Sequence, residues 1–191
     1  MTFLAKCYWF LVVGALSAQA HIQAPSAIHG QDIMTNHTVH VELSSSTLKG
    51  TVIVFLSATC PVTESHLAEI KRLTEEFSQY RFIGLHSNTD ESVEEVRDYF
   101  KKASLAITLI RDKDQQAADE FKALKTPHAF LVDSTGKVLY QGGISNSEEM
   151  GRARIFYLRD ALLDHSQGKA IKVPYGRTLG CVIKRGDKHV W

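Results

Sequence analysis

The run Thr51 to Leu56 (TVIVFL) constrains this chain more than any other feature. It is β-branched and aromatic, it is bounded by Gly50 and a polar stretch ending at Cys60, and it reads as a strand buried on both faces. Such a strand needs cover on both sides, so it belongs in the middle of a layered fold. The segment that follows supplies one layer. From Pro61 to Gln79, Leu67, Ile70, Leu73 and Phe77 fall at spacings of 3, 3 and 4, the pattern of an amphipathic helix, and Pro61 suits its first turn.

The alternation continues along the chain. Arg81 to Leu85 reads as a strand, Glu91 to Ala103 as a helix through Val93, Val96 and Phe100, and Ala106 to Ile110 as a strand. A shorter helix is expected over Asp114 to Leu124. Ala129 to Val132 and Val138 to Gln141 then flank Asp133-Ser134-Thr135-Gly136-Lys137, a turn of hairpin length. A last helix, Met150 to His165, is expected to bury Ile155, Leu158 and Leu162. With Thr38 to Leu43 as an edge strand, this order predicts an α/β fold: a central mixed sheet with helices on both faces. Residues 21–35 read as an irregular lead-in and 36–191 as one domain without repeat or linker.

Residues 1–20 stand apart. Tyr8 to Ser17 is almost wholly apolar, Lys6 precedes it, and Ala18-Gln19-Ala20 has the small-x-small form of a cleavage site, so the segment reads as a secretory signal peptide. Its removal takes away Lys6 alone, leaving 21 basic and 21 acidic residues. A neutral chain without charge runs does not advertise nucleic-acid binding, and no second long apolar run predicts stable membrane insertion. The expected location is periplasmic or secreted. Disulfides persist there, so the two remaining cysteines, Cys60 and Cys181, read as a structural bridge or a redox couple.

Cys60 lies between the end of a buried strand and the start of a helix. Unpaired N–H groups and the positive end of the helix dipole favour an anion there, and therefore a thiolate. That placement suits a nucleophile.

Strand, Cys60-Pro61 at a helix start, and Thr126-Pro127 before a hairpin together resemble the layout of thioredoxin-fold proteins, specifically the redoxin (alkyl hydroperoxide reductase/thiol-specific antioxidant-like) family. Gly84-Leu85-His86-Ser87-Asn88 and the tail Gly180-Cys181-Val182-Ile183-Lys184 are similar to stretches of exported members with a single Cys-Pro. The resemblance implies a thioredoxin-like sheet and a thiol-disulfide oxidoreductase. Its catalytic set would be Cys60, Cys181, Thr126 and Pro127, supported by Pro61, Thr63, Ser57, His86 and His128, with no cofactor and no metal. Substrates would be protein or small-molecule thiols and disulfides, and the reducing partner is not named by the sequence. A cis Pro127 would leave the backbone of Thr126 free to pair with a substrate chain.

Two departures from the family patterns bear on the chemistry. Thr63 replaces the second cysteine of a C-x-x-C, so Cys60 must pair with Cys181 or with another molecule, and the Thr63 hydroxyl is placed to donate to the thiolate. Ser57 matches a peroxidase hydroxyl position, but Ile53 and Pro127 stand where that chemistry uses proline and arginine. A thiol peroxidase is thus the alternative enzyme. A non-catalytic copper-binding or assembly protein using Cys60 with His86 or His128 is the alternative of another class. His37 and His40 form a weaker candidate ligand pair, and His21 would be a new N-terminus. The glycines of Tyr175 to Lys184 predict a mobile tail able to carry Cys181 to Cys60, so the two cysteines should bond or lie one loop movement apart.

Overall fold

The computed structural model describes residues 24–186. The signal-peptide reading of 1–20 and the reading of His21 lie outside the described residues. No helix among the described residues is long and apolar enough to cross a membrane.

Seven strands form the main sheet: β1 (Ala27–Asp32), β2 (Thr38–Glu42), β3 (Gly50–Phe55), β4 (Tyr80–His86), β5 (Thr108–Arg111), β7 (His128–Asp133) and β8 (Val138–Gly142). Their order is β2-β1-β5-β4-β3-β7-β8. The two-residue strands β6 (Lys125–Thr126) and β9 (Cys181–Val182) pair separately. The helices are α1 (Pro61–Glu76), α2 (Val93–Lys102), α3 (Gln116–Glu120) and α4 (Tyr157–Ser166).

β3 sits inside the sheet, parallel to β4 and antiparallel to β7. All six of its residues are buried. Because side chains alternate across a strand, Val52 and Val54 join one core while Ile53 and Phe55 join the other. The first core packs against α1 through Ile70 and Leu73, α2 through Val96 and Phe100, and α4 through Leu158 and Leu162. The second packs against α3 through Ala117, Ala118 and the adjoining Phe121. The parallel pairs β3-β4 and β4-β5 are joined through α1 and α2, which therefore cover the same face, and α3 returns over the other. The mixed sheet with helices on both faces is the expected architecture.

Three expectations change. Residues 27–32, assigned to the irregular lead-in, form β1, which pairs with both β2 and β5. Its sequence hides this because only Ala27 and Ile28 are buried and the strand is held by its two neighbours rather than by a period of apolar residues. The last helix begins at Tyr157, not Met150. Met150–Arg152 is a single tight turn, and the Asn146 side chain accepts from the N–H groups of Arg154 and Ile155, which cannot then bond helically. Ile155 is consequently exposed, at 43%, while Leu158 and Leu162 are buried as expected. The tail is also held in place rather than free: Ile183 is 2% exposed, and its N–H donates to Leu124 O at 2.9 Å.

Candidate active site at Cys60

β3 delivers the chain to the N-terminus of α1, where Cys60 is the N-cap residue in an extended conformation and Pro61 opens the helix. The Cys60 side chain is 2% exposed. Its thiol donates to Thr126 O at 3.1 Å, and the Thr126-Pro127 bond is cis. Thr126 in turn faces Cys181 across the β6-β9 pair. Cys60, the Thr126-Pro127 pair and Cys181, three places far apart in the chain, are thus brought together, with both cysteines free thiols.

Burial works against ionisation of Cys60, but the Cys181 side chain and the N–H groups of Thr63 and Cys181 together pull its pKa below that of an ordinary thiol. The two sulfurs divide the proton between them unequally. Burial, and then the neighbouring Cys60, push Cys181 up to about 11. Of the two sulfurs, Cys60 therefore loses its proton more readily and Cys181 keeps its own. Thr63 contributes through its backbone N–H rather than through the hydroxyl foreseen for it: Thr63 Oγ1 is buried without a hydrogen-bond partner.

The supporting residues take unexpected partners. Ser57 Oγ donates to Glu91 at 2.5 Å, so the hydroxyl at the peroxidase-like position is committed to a carboxylate. Glu91 also accepts from Ala58 N–H at 2.7 Å, from Thr59 Oγ1 at 3.1 Å and from Asn88 Nδ2 at 2.6 Å. His86 Nε2 lies 3.4 Å away. Although burial opposes its charge, these donors hold the Glu91 carboxyl down at about 2. Glu91 thereby fixes Ser57, Ala58 and Thr59, the three residues that precede Cys60. The sequence pattern gave this residue only a helix start, and nothing local in the chain signals that it is buried.

His128 is nearly buried against the Phe130 ring, with centroids 4.4 Å apart. Burial lowers its pKa to about 4, which keeps it neutral. Its Nδ1 has no hydrogen-bond partner. His40 is placed beside His29, not His37: His29 and His40 are cross-strand partners with Nδ1 atoms 3.0 Å apart. Among the described residues no group of three or more His, Cys, Asp or Glu side chains is placed to hold a metal ion.

Comparisons with known proteins give the fold and the family. A search of the curated proteins finds no match. Among solved structures, the fold is similar to an uncharacterised conserved protein from Geobacillus kaustophilus, at 21% identity and a TM-score of 0.78, covering 88% of this chain and 93% of that one. It is also similar to a thiol-disulfide oxidoreductase from Bacteroides fragilis, at 20% identity and a TM-score of 0.53, over 62% of this chain and 88% of that one. A third likeness is to a secreted disulfide oxidoreductase from Mycobacterium tuberculosis, at 14% identity and a TM-score of 0.50, over 58% and 79% of the two chains. These likenesses are to the thioredoxin-like fold. The model of the AhpC/TSA family matches residues 24–141, from the chain leading into β1 through the hairpin after Pro127, and the chain belongs to that family.

Proposed function

We propose that the protein is an exported thiol-disulfide oxidoreductase in which Cys60 is the nucleophile and Cys181 the resolving thiol. The observation that carries this reading is the hydrogen-bonded pair itself, a thiolate-favouring Cys60 at a helix N-terminus beside a protonated Cys181. The Cys60 thiolate attacks one sulfur of a substrate disulfide, forming a mixed disulfide and expelling the other half as a thiolate. Cys181 gives up its proton, attacks the Cys60 sulfur and expels the second half as a thiolate. Two electrons have then passed from the cysteine pair to the substrate, and an external dithiol returns them.

Export is supported by the apolar segment Tyr8 to Ser17 and its small-x-small end, and by the secreted oxidoreductase of similar fold. The peroxidase reading has less support, because Ser57 is bonded to Glu91 and proline occupies position 127. A copper site has less still, because His86 is turned toward Glu91 and the ring of His128 lies against Phe130.

The test is the rate of Cys60 alkylation in the reduced protein as a function of pH, with the site of modification read by mass spectrometry. The expected midpoint lies below the ~8.5 of a free cysteine. A midpoint at or above that value overturns the assignment of Cys60 as a nucleophile.

A further inference from the structure

In this fold the backbone at Thr126 is the edge on which an extended substrate chain would lie beside Cys60, and here that edge is occupied. β9 runs antiparallel to it, with Cys181 opposite Thr126 and Val182 opposite Lys125. The fit is close. A Cβ on Gly180 would stand 2.0 Å from Thr126 O, and Gly180 has φ +142, a conformation that side chains rarely adopt.

The tail is anchored well beyond its cysteine. Ile183 is buried in the core beneath α3. Lys184 N–H donates to Asn88 Oδ1 at 2.9 Å, and Lys184 O accepts from Gln115 Nε2 at 2.8 Å and from Thr89 N–H at 3.2 Å. Arg185 donates to Ala123 O at 2.9 Å and forms an ion pair with Asp119. Cys181 already stands beside Cys60, so resolution calls for no flexible arm. These contacts instead make a docked strand that fills the polypeptide edge.

We propose that β9 acts as an internal competitor for polypeptide substrates: with the tail docked, Cys60 reacts with small disulfides, and a disulfide carried on an extended chain reaches it only when residues 180–185 are displaced. This rests on Cys60 being the nucleophile. A tethered segment presents itself at an effective concentration on the order of mM, so an external chain offering similar contacts would need about that concentration to compete.

The experiment compares two disulfides that expel the same chromophore. One is the symmetrical bis-nitrobenzoate disulfide. The other is an extended peptide whose central cysteine carries the same thionitrobenzoate. In each case Cys60 forms a new S–S bond and thionitrobenzoate leaves, so the ratio of the two initial rates cancels any change in the thiolate fraction. Ile183→Ser loosens the tail by removing its buried anchor, and Gly180→Ala does so by collision with Thr126 O. Faster amide exchange at residues 181–184 verifies release in either variant. The peptide-to-small-disulfide ratio is expected to rise about tenfold or more over wild type in each released variant. An unchanged ratio with the tail released overturns the competitor role while leaving Cys60 as nucleophile. Absence of chromophore release from the small disulfide in wild type overturns the nucleophile and the competitor together.

Discussion

Glu91 is a charge almost withdrawn from water, and against that burial it keeps its charge because His86 lies beside it and Ser57, Asn88, Ala58 N–H and Thr59 donate to it. Since its folded pKa of about 2 lies below the unfolded value of about 4.5, its contribution to stability is complete above about pH 4.5 and is lost as the pH falls toward 2. At ~1.4 kcal/mol per unit this is on the order of 3 kcal/mol. His128 acts over a different range. Its folded value of about 4 lies below the ~6.5 of an exposed histidine, so stability is also lost between those two values as the imidazole is forced to charge. Glu91→Gln is therefore expected to lower stability at neutral pH and to flatten the loss below about pH 4.5, leaving the loss above it in place. Urea unfolding across the acid range measures both limbs. If the limb below pH 4.5 survives the substitution, other carboxylates carry it and the loop before Cys60 does not depend on this charge.

Elements with a period were legible in the sequence, and those held by tertiary partners were not. β3 and α1 declare themselves by an unbroken apolar run and a helical spacing, and they meet at Cys60, so the proposed nucleophile and its helix were readable together. Thr126-Pro127 was readable for a similar reason, as a local motif at a hairpin. β6 and β9 have two residues each, too short for any periodicity, and exist because Ile183 finds a pocket and Gly180 can pass under Thr126 O. The same distinction explains Glu91: whether a carboxylate before a helix is solvated or buried depends on the loop packed over it. What the sequence does write is the cap that follows. Ser92 accepts from Glu95 N–H while Glu95 Oε2 accepts from Ser92 N–H at 3.0 Å, a reciprocal box at the start of α2. Ser92→Ala should cost about 1 kcal/mol, read as a lowered urea midpoint at unchanged slope. A change in slope would mean that the cap also holds the neighbouring Glu91 loop in the folded state.

At the scale of the whole molecule, Cys60 and Cys181 would close a loop spanning most of the domain, and the chain-entropy model assigns such a bond up to ~4.7 kcal/mol of stability over the reduced protein. The reduced protein offsets part of that gain. Its Cys60 has a folded pKa below the unfolded thiol value near 9.0, so it stabilises the fold increasingly as pH rises through the folded value toward the unfolded one. Cys181 has the opposite sign. Raised to about 11, it withdraws stability from the reduced fold between about pH 9 and pH 11, where the unfolded chain ionises and the folded one does not. The oxidised protein contains neither thiol. The stability gap between oxidised and reduced forms is therefore expected to narrow as pH rises toward about 9 and to widen beyond it. Urea unfolding of both forms, measured at intervals from about pH 6 to pH 10, would trace this curve. A gap that stays constant over the whole range would mean that neither thiol is displaced from its unfolded value in the reduced fold, against the opposed shifts of Cys60 and Cys181.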